Sequence, residues 1–253
     1  MVKGIIISDT HSGHLLGLTP PQFRTSRPEI DDIMAPFWDW WMSSLNLDGY
    51  DVMIHCGDIV DGDGHKDTSF HLTTDINQQV AISKAVIDSV NARKHLFVYG
   101  TPYHGGDILD YEKIVADSYG GKISWRQQVD IEGVRFSVSH VIGKTTTPVG
   151  GDIALRKKMV WDALYSVKDT GEAADVILCG HAHEYRLVAD DQVTACICPA
   201  LKIGDANFDR YGRKMQGGHY HVGFIEFTVD NGRLIEFSPK IYRVNVKREY
   251  ERI

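Results

Sequence analysis

Cysteine is scarce in this chain, with four in 253 residues (Cys56, Cys179, Cys196 and Cys198) and no Cys-x-x-Cys pair. That excludes a disulfide framework and a thiolate zinc ribbon, and it suits reduced thiols in apolar runs. Cys196-Ile-Cys198 reads as two thiols on one strand face, not a metal clip. Basic charge is also short: 27 Lys and Arg against 34 Asp and Glu give a formal net charge of −7. A broad cationic face for duplex nucleic acid is therefore disfavoured, although a local cationic groove fits within that total. No run approaches the ~18 apolar residues that cross a membrane, and no signal-peptide pattern precedes the first strand. The expected protein is soluble and cytoplasmic, with no membrane partner. Repeats, low-complexity tracts and linkers are absent too, so we expect one domain over residues 1–253, with 43% hydrophobic residues for its core.

What the chain has instead is one device used five times. Residues 50–61, Tyr-Asp-Val-Met-Ile-His-Cys-Gly-Asp-Ile-Val-Asp, read as a buried strand that stops at Gly57 and delivers the carboxylate of Asp58. Residues 4–8 form a similar strand ending in Asp9-Thr-His11-Ser-Gly-His14. Residues 95–99 lead into Gly100-Thr-Pro-Tyr-His104, residues 134–139 into His140, and residues 175–179 into Gly180-His181-Ala-His183. Between these runs, Ile30, Ile33, Met34, Phe37, Trp38, Trp41 and Leu45 recur at helical spacing, as do Ile76, Val80, Ile87 and Val90. A weaker helix is predicted over residues 109–119, and another over 153–167 with Leu155, Met159 and Leu164 on its buried side. Pro20, Pro21 and Pro28 mark a surface loop. The order βαβαβ up to Tyr99 predicts an α/β fold with parallel strands and crossover helices. Residues 122–125, 128–131 and 193–198 read as shorter strands, and 222–229 with 233–242 as a hairpin around Asn231-Gly232.

In open α/β sheets ligands gather outside the carboxyl ends of the strands, where these polar residues fall. Asp9, His11, Asp58 and His183 supply one set of metal donors, and Asp58, His140 and His181 most of a second. A shared Asp58 would hold two divalent ions ~3.5–4 Å apart. Mixed imidazole and carboxylate donors suit transition metals, here Mn with Fe, Zn, Co or Ni as alternatives, better than Ca or Mg. Asp61 is expected to orient a ligand, and His14 to reach substrate, each against a plain loop role. His55, His65, His71, His95 and His219 read as structural, the usual fate of a lone histidine. Gly143-Lys144-Thr145 lacks the upstream glycine of a phosphate loop, and Asp61-Gly-Asp63-Gly-His65 lacks calcium-loop spacing.

Asp9-x-His11, Gly57-Asp58-x-x-Asp61, the Gly100-loop histidine, Ser139-His140 and Gly180-His181-x-His183, in this order, resemble the motif set of the calcineurin-like metallophosphoesterase superfamily. The resemblance implies a four-layered α/β/β/α sandwich of two mixed sheets, with a two-metal site at their C-terminal edges. It also implies in-line attack of metal-bridging hydroxide and protonation of the leaving oxygen by His104. One motif departs from the family's Gly-Asn-His and following acid, in which Asn binds the second metal. Here Thr101 stands in the Asn position and His104 comes two residues later, similar to a Gly-Thr-x-x-His form of phage-type members. Thr101 is expected to offer the second metal its hydroxyl, a poorer ligand than an amide oxygen.

The expected activity is that of a dinuclear metal-dependent phosphoesterase, a phosphodiesterase or nuclease acting on nucleic acid or nucleotides. Arg210, Arg213 and Lys214, in a glycine-flanked loop, are candidates to neutralise phosphate oxygens. A phosphomonoesterase or protein phosphatase is the alternative within the fold. A non-catalytic metal-binding scaffold is the alternative from another class, and the near-complete ligand set weighs against it.

Overall fold

The apolar runs that end in polar residues pair with one another. The computed structural model describes residues 1–24, 27–63, 70–106, 110–143, 150–169, 173–204 and 221–243. Its elements in the first half are β1 (Val2–Ile7), α1 (Pro28–Ser44), β2 (Tyr50–His55), α2 (Ile76–Val90), β3 (Ala92–Val98), α3 (Pro102–Gly105), α4 (Tyr111–Ser118) and β4 (Ile123–Ser124). The second half adds β5 (Arg126–Ile131), β6 (Val134–Ser139), α5 (Gly150–Asp169), β7 (Val176–Cys179), β8 (Arg186–Ala189), β9 (Thr194–Ile197), β10 (Val222–Asp230) and β11 (Arg233–Tyr242).

Six strands form one sheet in the order β11-β10-β1-β2-β3-β4, and five form another in the order β5-β6-β7-β9-β8. Both sheets are mixed. β1 to β4 run parallel, with β10 antiparallel to β1, while β6, β7 and β9 run parallel between antiparallel edges. Period-two alternation then sorts the side chains into layers. Ile5, Ile7, Met53, Phe97 and Phe224 face Met34, Phe37 and Trp41 of α1, Val86 and Val90 of α2, and Val115 of α4. Ile6, Val52, Ile54, Val98 and Phe227 face the other way, onto Phe136, Val138, Val176, Leu178 and Cys196 of the second sheet. Leu155 of α5 covers the far side of that sheet over Ile177, Cys179, Ala195 and Ile197. The four layers are therefore helix, sheet, sheet, helix. Burial on both faces explains why the strands read as unbroken apolar runs.

Local chemistry sets the helix ends. The Asp75 side chain caps α2 by accepting from the Asn77 amide, and Asp110 caps α4 by accepting from the Lys113 amide. Several sequence expectations shift. The run at 122–125 shortens to β4 because the chain crosses between sheets at Trp125. Pro20 is buried, since residues 8–15 and 17–20 pack beneath the strand ends. Leu164 is 52% exposed. The inward face of α5 is completed by Asp162, which pairs with Arg126 at 2.6 Å and accepts from the Ser137 hydroxyl. β8, an edge strand of mixed polarity, carried no clear alternation. Leu109, where the third helix was expected to begin, lies outside the described residues.

Candidate metal centre

Five parallel strands, three from the first sheet and two from the second, end on one edge of the molecule. β1 delivers Asp9 and His11, β2 Asp58, β3 the Gly100 loop, β6 His140, and β7 His181 and His183. Backbone pairing continues past the strand ends: the amides of Asp9, His11 and Ser12 donate to the carbonyls of Gly57, Asp58 and Ile59, each at 3.0 Å. Gly180 likewise donates to the His140 carbonyl at 3.0 Å. The donors therefore hang from two braced loop pairs rather than from free loops.

The backbone here is strained. Asp9 (φ 51°), His11 (42°), Asp58 (52°), His181 (71°) and His183 (53°) all occupy the left-handed region. Each such residue costs on the order of 1–2 kcal/mol and persists only where its surroundings over-determine it. Gly100 is required by proximity: a Cβ at that position would collide with the Asp58 carboxylate and backbone.

Donor atoms gather into three overlapping groups, Asp9/His11/His183, His11/Asp58/His104 and Asp58/His140/His181, each with its atoms within 4.8 Å of one another. On the first side, His183 Nε2 lies 3.1 Å from Asp9 Oδ1 and 3.1 Å from His11 Nε2. His11 Nδ1 lies 3.1 Å from Asp61 Oδ1. That bond takes the Nδ1 proton and leaves the Nε2 lone pair pointing inward. Burial, and after it the charge of Lys202, hold His11 down to about 3, so it is neutral and ready to ligate. On the second side, His140 Nδ1 donates to the Cys56 carbonyl at 2.7 Å. Its Nε2 sits 3.0 Å from Asp58 Oδ2. Burial lowers the His140 pKa, but Asp58 outweighs it and holds the ring at about 9. Two donor atoms that converge at 3.0 Å, with a proton held between them where a cation belongs, fit a metal ion at that point.

Asp61 is a hub. Besides His11, its Oδ2 lies 3.1 Å from His71 Nε2, and its carbonyl accepts from His104 Nδ1 at 2.6 Å. The His104 ring stands edge-on to His11, with centroids 4.6 Å apart, and its Nε2 is 4.0 Å from Asp58 Oδ2. Thr101 donates to Asp58 Oδ1 twice, from its amide at 2.6 Å and its hydroxyl at 3.1 Å. Its hydroxyl thus orients the shared carboxylate. His14 is buried, with Nδ1 accepting from the Leu16 amide at 3.0 Å and its ring stacked on Phe70, a contact that holds the loop. His55 is structural, accepting from the Gly57 amide. Arg210, Arg213, Lys214, His65 and His219 lie outside the described residues.

The layer order, the strand-end placement and the ordered donors now coincide. The chain has a four-layered α/β/β/α fold of two mixed sheets with the donors at their shared edge. No protein-family model and no curated protein matches the sequence. Solved structures with a related course include an archaeal phosphodiesterase (14% identity, covering 95% of this chain and 99% of that one, TM-score 0.47). They also include the Entamoeba histolytica Vps29 complexed with zinc (13%, 96% and 98%, 0.47). A third is a Streptococcus pneumoniae protein described as a predicted phosphoesterase (10%, 90% and 83%, 0.40).

Three residues around the centre left no motif in the sequence. Glu112, fully buried on α4, accepts from the amides of Ile59 at 2.9 Å and Gly100 at 2.7 Å, so one carboxylate spans the loops after β2 and β3. Burial, then Asp58, push its pKa up to about 7. Gln79 clamps Gly62 through both its amide and its carbonyl. The signal for both was a polar residue on the apolar face of a predicted helix. Lys202, only 8% exposed, follows β9 within an apolar run and had no motif to flag it.

Proposed function

We propose that this protein is a dinuclear metal-dependent phosphoesterase acting on phosphodiesters of nucleic acid or nucleotides. One observation carries the reading: two donor sets share Asp58 at the convergent C-terminal edges of two sheets. Asp9, His11, Asp58 and His183 would hold one ion, and Asp58, His140 and His181, with the Thr101 hydroxyl in reach of the shared carboxylate, the other. When bound, such ions supply an activated water and neutralise phosphoryl charge. The chain's own residues do the rest. Asp61 and the Cys56 carbonyl fix the tautomers of His11 and His140 with Nε2 inward. With its Nδ1–H on the Asp61 carbonyl, His104 can give a proton to the leaving oxygen only from Nε2, and only as the imidazolium.

Exposed rings at the mouth favour a base-bearing substrate over a phosphoprotein. Tyr103, 50% exposed, adjoins His104, and Trp125, 60% exposed, lies tilted against Tyr99 with centroids 4.9 Å apart. Trp125 precedes Arg126, which pairs with Ser139 just before His140. Such ring faces suit single-stranded bases, whereas the net charge of −7 disfavours extended duplex contact.

The test is turnover of an aryl phosphodiester against an aryl phosphomonoester with Mn, followed by single-stranded DNA, duplex DNA, cyclic dinucleotides and a phosphoprotein. Diester hydrolysis that chelation abolishes is expected. His104→Ala should lower the rate with metal content intact. No turnover with Mn, Co, Ni or Zn, and no metal by elemental analysis, would sink the proposal, and metal without turnover would favour a scaffold.

A further inference from the structure

The outer face of α5 carries rings and cations that the metal centre does not use. Ile153, Lys157, Trp161 and Tyr165 follow one another at steps of four along it, all exposed. Trp161, 55% exposed, stacks on Tyr165 with ring centroids 5.8 Å apart. Lys157 is the centre of Arg156-Lys157-Lys158, the only run of three cations in a sequence of net charge −7. A groove of about 290 Å³ runs beside this line, walled by Ile153, Lys157, Lys158 and Trp161 on the helix and by Val141 and Ile142 on the facing loop. Val141 is 56% exposed and follows His140 directly, so the loop that carries this candidate ligand is one wall of the groove. A second link joins the groove to the exposed rings at the mouth. Asp162, on the inward face of α5, takes Arg126, the residue after Trp125, at 2.6 Å and Lys158 at 3.6 Å. One carboxylate between two cations leaves a net positive charge there. Asp152, at the start of the helix, pairs with Arg186 at 3.5 Å, so its charge is already matched.

We infer that this groove binds single-stranded nucleic acid, with a base stacked on Trp161 and phosphate oxygens on Lys157 and Lys158. The assignment deepens the phosphodiesterase reading and rests on it, the strand running from Trp161 past Val141 to the centre that cuts it. Cations interleaved with rings along one line match a single strand, whose phosphates and bases alternate. A protein-docking face is depleted of lysine at its core, and a helix lying in a membrane interface keeps its cations on the face opposite its apolar residues. Here Lys157 stands between Ile153 and Trp161 on the same line.

The probe is a fluorescent phosphorothioate oligothymidylate, which resists hydrolysis, followed by anisotropy with Mn-loaded wild type, Trp161→Ala and Lys157→Ala. In parallel, kcat/KM is measured on the ordinary oligothymidylate and on an aryl phosphodiester. Both side chains are exposed, so both variants should fold, and the aryl substrate reports that they have. Loss of one stacked base should weaken oligonucleotide binding about 5- to 150-fold in Trp161→Ala. Lys157→Ala should reduce the slope of log affinity against log salt by about 0.7, one phosphate contact of a single strand. In both, the ratio of kcat/KM on the oligonucleotide to that on the aryl diester should fall. Affinity and salt slope that neither substitution changes overturn the assignment. So does a Trp161→Ala loss that is equal for oligothymidylate and for inorganic polyphosphate, which has no base to stack. A Trp161→Ala effect seen only as dissociation of a dimer, or only as release from anionic lipid vesicles, overturns it too. Oligonucleotide binding that depends on Trp161 without hydrolysis of any phosphoester keeps the assignment and overturns the proposed activity, and aryl diester hydrolysis with oligonucleotide binding indifferent to Trp161 does the reverse.

Discussion

The two halves of the candidate centre are built differently. On the first side, Asp9, His11 and His183 are all buried, their loops are laced to the strand beside them, and Asp61 holds the outer nitrogen of His11. On the second side His181 is partly exposed, and Thr101, at the start of the Gly100 loop, spends its hydroxyl on Asp58. Donors whose outer atoms are already fixed lose less freedom when an ion arrives. The first side should therefore bind its metal more tightly than the second, and Asp58, common to both, should matter most.

Breaking both halves at once gives the largest effect. Asp58→Ala removes the one carboxylate that neutralises and spaces both ions. We expect turnover to fall by at least about 10³-fold, the equivalent of several kcal/mol of lost charge stabilisation, with metal content near zero by elemental analysis. Asp61→Ala breaks the first half alone. Loss of the group that orients His11 should weaken that site's metal affinity by roughly 10- to 100-fold, read in a metal titration, while the second site changes less.

The comparison also marks what the sequence made legible. Strand ends at Asp9, Asp58, His140 and His181 could be read because each is an apolar run that stops at a polar residue, a pattern local to a few residues. The layers followed from apolar runs over the C-terminal parts of β1 and β2 and over β7, which burial on both faces demands. What stayed hidden is what acts across the chain. Glu112 serves loops 12 and 53 residues away, and Lys202 is bridged to Gly17 across most of the chain, so neither leaves a local periodic trace. Leu164 was misplaced because an ion pair, Asp162 with Arg126, took the inward position that hydropathy assigns to leucine.

The second half can be sharpened by restoring the donor it lacks. Thr101→Asn places an amide oxygen where the hydroxyl stands, and amide oxygen is the better ligand. The second metal should then bind about tenfold tighter, a gain of about 1.4 kcal/mol, resolved as a clearer second step in calorimetry. An unchanged second step would mean that Thr101 acts only through Asp58.

The smallest effect separates the halves by pH in chelated protein. His140 has its folded pKa raised to about 9 from 6.5, because Asp58 outweighs burial. Its contribution to stability is therefore complete below pH 6.5 and is lost as pH rises towards 9. His11 is the reverse, held down to about 3 by burial and Lys202, so its contribution is present above pH 6.5 and is lost as pH falls towards 3. In metal-free protein these two groups lower the unfolding temperature on either side of pH 6.5, the second side on the alkaline limb and the first on the acid limb, while Glu112, raised to about 7, adds its own loss between pH 4.5 and 7. Saturating Mn replaces the proton on His140, so the alkaline limb should flatten in the loaded protein while the acid limb persists, where protons displace the metal. Thermal melts from pH 5 to 9, with and without chelator, would read both limbs, and an alkaline limb unchanged by Mn would mean that His140 does not ligate.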